Sequence, residues 1–173
     1  MSVEERSVPG TGRRAWGPRL LILAGIVLLA GTLGWFAILA PLQNPAPLPI
    51  PAHLAGLPLT RHAFGRQAAD EIARLHDSRF PLTGATVAEY GDGAAIVWAS
   101  QTWGRWGARY MTRSMTRAIE RETTPFTPTG QRVVDGRTVY ALRGMGMSHF
   151  YFQASDQVIW LAASPDRADA ALR

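Results

Sequence analysis

The sequence predicts an α+β protein: one N-terminal transmembrane helix, then a small domain whose antiparallel sheet of about six strands carries two to three helices on one face. Three observations predict it. Residues 20–40 are apolar and uncharged. A proline-rich stretch follows. Beyond it, helical and alternating periodicities succeed one another in the order helix, two strands, helix, four strands, helix, which places helices on one face of an antiparallel sheet.

The chain has 173 residues, enough for one domain and too few for a large multidomain enzyme. It contains no cysteine, which excludes disulfides, thiolate metal sites, cysteine nucleophiles and cysteine lipidation. All eighteen strong bases are arginine, and against thirteen acids they leave a net charge of +5.

Residues 20–40 (LLILAGIVLLAGTLGWFAILA) at ~1.5 Å rise per residue span the ~30 Å of a bilayer core. A helix satisfies every backbone donor within such a segment. Gly25, Gly31 and Gly34 are common in membrane spans, and Trp35 suits the headgroup interface. Arg6, Arg13, Arg14 and Arg19 precede the run, whereas residues 40–60 carry no charge, so the expectation is a cytoplasmic N-terminus of residues 1–19 and an outer C-terminal domain. The run exceeds the ~7–15 residues of a signal-peptide core, Ile38 and Leu39 stand where a cleavage site needs small residues, and Pro41 further obstructs cleavage after Ala40, which favours an uncleaved signal anchor in a cytoplasmic (inner) membrane.

Residues 41–58 hold Pro45, Pro47, Pro49 and Pro51 alternating with other residues, an extended polyproline signature. They are expected to be a linker, able to hold the next domain ~30 Å off the membrane or, through Leu48, Ile50 and Leu54, to lie flat on that domain.

Residues 59–173 are expected to form the domain. Phe64, Ala68, Ile72 and Leu75 recur at helical spacing, ending before Pro81. Residues 83–90 and 94–101 read as strands joined at Gly91-Asp92-Gly93. A longer helix fits residues 104–122. Residues 131–134, 137–143, 147–153 and 158–163 read as strands with turns at Asp135-Gly136, Gly144-Met145-Gly146 and Ser155-Asp156, and residues 166–173 as a last helix.

No nucleophile elbow, phosphate-binding loop, zinc-protease motif or metal-ligand spacing occurs, so no catalytic, cofactor or metal residues are assigned and no cofactor is expected. Ser148-His149 with Asp156 nearby makes a poor triad, because neighbours on a strand point to opposite faces. An enzyme, if this were one, would be a small hydrolase using His149 with Glu89 or Asp156. Two candidate surfaces stand out instead. Arg105, Arg109, Arg113 and Arg117 repeat every four residues on the second helix with Trp106 among them, a stripe suited to an anionic lipid or an acidic partner, or else a solvated helix face. Nucleic acid fits the charge but not an extracytoplasmic location. The other is a sheet face at Met147, His149 and Tyr151, to be covered by linker, last helix or partner. The sequence therefore predicts a single-pass anchored binding or interaction module, sensor-like or accessory, without a catalytic site or an assignable small-molecule ligand. A membrane-protein partner or a peripheral lipid surface are its expected contacts.

Overall fold

The computed structural model describes residues 16–76, 80–121 and 124–172. Two compact units divide the chain, the first ending at Ala37 and the second running Ile38–Arg173. Of the arginines expected inside the cytoplasm, Arg6, Arg13 and Arg14 lie outside the described residues.

The first unit is dominated by helix α1 (Trp16–Gly34). Its large apolar residues, from Leu20 through Leu33, are all exposed. Residues Gly17–Gln43 are long and apolar enough to cross a membrane. A π-helical turn, Trp35–Leu39, leads into helix α2 (Ala40–Gln43). Pro41 supplies the reason, since it lacks an N–H and crowds the carbonyl four residues back.

The second unit is α+β, as expected, but its antiparallel sheet has eight strands rather than six. In chain order these are β1 (His53–Leu54), β2 (Leu57–Phe64), β3 (Gly84–Tyr90), β4 (Ala95–Gln101), β5 (Thr127–Val134), β6 (Arg137–Gly144), β7 (Met147–Ala154) and β8 (Gln157–Ala163). Their spatial order is β1-β2-β3-β4-β8-β7-β6-β5, so two meanders meet where β8 pairs with β4. Helix α3 (Gly65–His76) joins β2 to β3, and α4 (Gly104–Glu120) joins β4 to β5.

Both additional strands precede α3. A one-residue bulge hides β2: Leu59 pairs with Tyr90 but Arg61 with Glu89, leaving Thr60 extra. The bulge reverses side-chain parity, so Leu57 and Leu59 pack on one face of the sheet and Ala63 on the other. No single period survives such a switch. Phe64 consequently belongs to β2, and the buried stripe of α3 is Ala68 and Ile72, with Leu75 62% exposed. Strand β5 begins four residues earlier than predicted, with its own bulge between Pro128 and Gly130.

Helices α3 and α4 cover one face, where Ile72, Met111, Met115 and Ile119 pack over Val87, Leu142, Tyr151 and Val158. The opposite face is covered by two other elements. Ile50 and Leu54 of the proline-rich segment, with Ala168 and Ala171 of helix α5 (Ala168–Ala171), close over Ala88, Tyr90, Val139, Phe150 and Leu161. Residues 41–58 are thus a strap fastened to the domain instead of a free linker. Ala46 bridges Gly84, Leu48 donates to and accepts from Thr86 Oγ1 at 2.8 and 2.9 Å, and Tyr90 OH donates to the Pro51 carbonyl at 2.9 Å. At Gly84 a Cβ would meet Leu48 Cδ2 at 2.7 Å and the Ala46 carbonyl oxygen at 3.2 Å, so a side chain there would press on the strap.

Candidate functional site

Helix α4 buries Ala108, Met111, Thr112, Met115 and Ile119 against the sheet. Side-chain hydrogen bonds from β7 help fix its position. Gln153 Nε2 on β7 donates to the Arg105 carbonyl at 3.0 Å, and Thr116 Oγ1 meets Tyr151 OH at 3.0 Å. The outward side then falls to Trp106 and Tyr110, which are 82% and 62% exposed.

Residues four apart on an α-helix are rotated by ~40°, so a row of arginines at that spacing winds around the helix. The row accordingly divides. Arg105, Arg109 and Arg113 lean over one flank and line a groove of about 840 Å³, while Arg117 is exposed outside it. The opposite bank comes from turns of the sheet. Arg137, at the start of β6, adds a fourth guanidinium, and Gln153 and Ser155 close the end. The floor is Tyr140, last in a row of aromatics that register places on adjacent strands, Trp98, Trp160, Tyr151 and Tyr140. Tyr140 stacks on Tyr151 at 4.7 Å between centroids, and Tyr151 on Trp160 at 5.5 Å.

Among the described residues no Asp or Glu lines this groove. Among the described residues the ion pairs are Arg61–Glu89, Arg132–Asp169 and Arg167–Asp166, so the four groove arginines have no acidic partner. Sequence reasoning misses Arg137 because it sits behind an ordinary Asp-Gly turn, about thirty positions from Arg105.

The sheet-face candidates lie elsewhere. Tyr151 is 2% exposed, packed in the core beneath the helices, and His149 is 4% exposed against Phe126 and Trp160; only Met147 keeps partial access. Both nitrogens of His149 are engaged. Trp160 Nε1, which can only donate, points at His149 Nδ1 at 3.1 Å. Nδ1 must therefore carry the lone pair, which leaves Nε2 as the N–H donor to the Gly144 carbonyl at 3.0 Å. Burial pushes this imidazole's pKa down, against a smaller upward pull from the Gly144 hydrogen bond. Protonating Nδ1 would also set two donors face to face.

Neither acid considered with His149 reaches it. Glu89 lies three strands away along one register row, ~14 Å at sheet spacing, and pairs with Arg61 at 2.7 Å. Asp156 is beyond the far end of β7 and accepts from Gln101 Nε2 at 2.8 Å. Among the described residues no group of His, Asp or Glu is arranged to hold a metal ion. The structure brings together Arg105, Trp106, Arg109, Arg113 and Arg137, and it is this cationic groove that offers a binding chemistry: planar donors in forked geometry suited to phosphate or carboxylate. No protein-family model, curated protein or solved structure matches the chain.

Proposed function

We propose that this protein is a single-pass, membrane-anchored binding module whose outer domain takes multivalent anions in the α4 groove and performs no catalysis. The observation that carries the reading is the set of four guanidiniums facing one groove without a neutralising acid. Like charges so gathered repel one another, and an oligoanion relieves that repulsion while accepting several charge-assisted hydrogen bonds. The commitment of both His149 nitrogens supports the non-catalytic reading, since a general base needs a free lone pair.

Orientation rests on the four arginines before the apolar run against the uncharged residues 40–60. Protease added to intact spheroplasts is expected to remove the domain and spare the N-terminus; a protected domain would mean the opposite orientation. For the groove, the intact protein in neutral detergent is titrated calorimetrically with tripolyphosphate. Saturable, salt-sensitive binding is expected, weakened at least about tenfold by Arg109→Gln with Arg137→Gln. Heat no greater than that of sodium chloride at matched ionic strength would sink the anion reading.

A further inference from the structure

The strap fixes the end at which the chain enters the domain. Ala46 N donates to the Thr83 carbonyl at 2.9 Å, Ala85 N donates to the Ala46 carbonyl at 3.0 Å, and Arg66, in the first turn of α3, donates to the Gln43 carbonyl. Gly84 pairs with Gln101, after which Thr102 and Trp103 lead straight into α4. Thr102 N in turn donates to the Asp156 carbonyl on the β7–β8 turn at 3.0 Å. Register carries the same end across to the β5–β6 turn, where Val134 pairs with Arg137. The point of entry is therefore the end that holds the first turns of α4 and the mouth of the groove.

That end is also the cationic, aromatic end. It presents Arg66, Arg105, Arg109 and Arg137, with Trp103 45% and Trp106 82% exposed. Its acids, Asp70, Asp135 and Asp156, are fewer than its arginines, and the Asp156 carboxylate already accepts from Gln101. Only residues 41–45 separate the apolar run from the strap's first backbone hydrogen bond to the sheet, a reach of at most ~18 Å fully extended. The turns at the other end, Gly91-Asp92-Gly93 and Met145-Gly146, stand a strand length of seven or eight residues from this end of the sheet.

We infer that this end of the domain docks on the anionic headgroups of the same bilayer that holds the apolar helix, with Trp103 and Trp106 in the interface and the arginines paired to lipid phosphates. The inference rests on the reading of residues 20–40 as a membrane span and of the groove as an anion site. Exposed tryptophan beside arginine is the composition of a membrane-interface belt. A short tether keeps the effective headgroup concentration high, so contacts that are individually weak suffice. The attraction reaches ~8 Å at physiological salt, and a strap bound flat to the domain, unlike an upright stalk, lets the arginines come within such range.

Because the chain has no cysteine, a single introduced one reports its own position. The full chain carrying Gln67→Cys, exposed in the first turns of α3 at the docking end, or Met145→Cys at the opposite end, is labelled with a fluorophore. It is placed in nanodiscs of phosphatidylcholine with or without phosphatidylglycerol, with a quencher on the headgroups. Quenching at Gln67→Cys should rise severalfold with phosphatidylglycerol and fall with added salt, while that at Met145→Cys stays unchanged. Each arginine among Arg105, Arg109 and Arg137 replaced by Gln should lower the docking equilibrium about fivefold. The corresponding Arg→Lys variants, which keep the charge, should still dock.

Equal quenching at the two ends, or quenching indifferent to phosphatidylglycerol, overturns the docking. If tripolyphosphate nevertheless binds the groove, its ligand is a soluble anion and only this inference fails. If neither tripolyphosphate nor phosphatidylglycerol has an effect, the anion-binding reading fails with it.

Discussion

On one face of the sheet, α3 and α4 bury Val87, Leu142 and Tyr151; on the other, a strap rich in proline and the short α5 bury Tyr90, Phe150 and Leu161. The two covers meet the same need with opposite backbone chemistry. A helix satisfies its own donors and acceptors, so α4 can lie on the sheet through apolar contact and few side-chain hydrogen bonds. A strap cannot, and each of its buried peptide groups must find a partner. Proline at positions 45, 47, 49 and 51 removes every second donor. Ala46 and Leu48, lying between prolines, donate to Thr83 and Thr86. Alternating proline, which reads as a spacer, here lets an extended segment lie across a sheet face.

The sharpest test compares two threonines. Thr86 Oγ1 serves both the N–H and the carbonyl of Leu48, and Thr86 is fully buried. Thr112, 8% exposed on α4, donates only to the Ala108 carbonyl, an acceptor already within a helical ladder. Thr86→Val keeps the shape but strands two buried peptide groups, and should destabilise the domain by about 2–4 kcal/mol. Thr112→Val should cost less than about 1 kcal/mol. Urea denaturation of both variants gives the comparison, and equal losses would mean that the strap does not depend on side-chain partners.

A smaller effect is expected on the helix-covered face, at His149. Its replacement by Leu leaves Trp160 Nε1 and the Gly144 carbonyl unpaired, a loss of about 2 kcal/mol. The wild-type group should also confer acid sensitivity. Its folded pKa lies below the ordinary imidazole value of 6.5, so the unfolded chain takes up the proton first. The stabilisation is complete above pH 6.5 and declines as pH falls through the lower folded value. Thermal midpoints should therefore drop between neutral and mildly acidic pH in the wild type and stay flatter in His149→Leu. Parallel profiles would show that His149 is not held neutral.

What is legible in the sequence follows period and punctuation. β3, β4, β6, β7, β8 and α4 emerge from β-prone runs bounded by Gly and Asp turns and from the stripe Met111–Met115, because each of these strands pairs without a bulge along its own length. β2 does not, since its bulge at Thr60 reverses the buried side between Leu59 and Ala63. The strap's alternating prolines read as a spacer, and its cover of the second face depends on partners about forty residues away. The groove is half visible. Its α4 bank can be read from arginine spacing, but Arg137 reaches it only because β6 is brought beside α4 by the β5–β8 meander. His149 is visible as a residue but not as a neutral one, since the Trp160 donor that fixes its tautomer is a cross-strand neighbour.

The smallest expected difference lies between two buried tyrosines, one serving each cover. Tyr90 OH donates to the Pro51 carbonyl of the strap at 2.9 Å, and Tyr151 OH shares a hydrogen bond with Thr116 Oγ1 of α4 at 3.0 Å. Their rings are almost wholly buried, and desolvation raises both phenol pKa values. In Tyr151→Phe, Thr116 keeps its other partner, the Thr112 carbonyl. In Tyr90→Phe the Pro51 carbonyl loses the hydroxyl that holds that part of the strap, though Pro51 is exposed and water can replace part of the bond. Tyr90→Phe should thus cost about 1 kcal/mol and Tyr151→Phe about half of that. Amide exchange separates them further: Tyr90→Phe should speed exchange along the strap at Leu48 and Ile50 and leave α4 unchanged. Faster exchange in α4 would mean that the two covers unfold as one unit, and the contrast between self-satisfied helix and pinned strap would not extend to their dynamics.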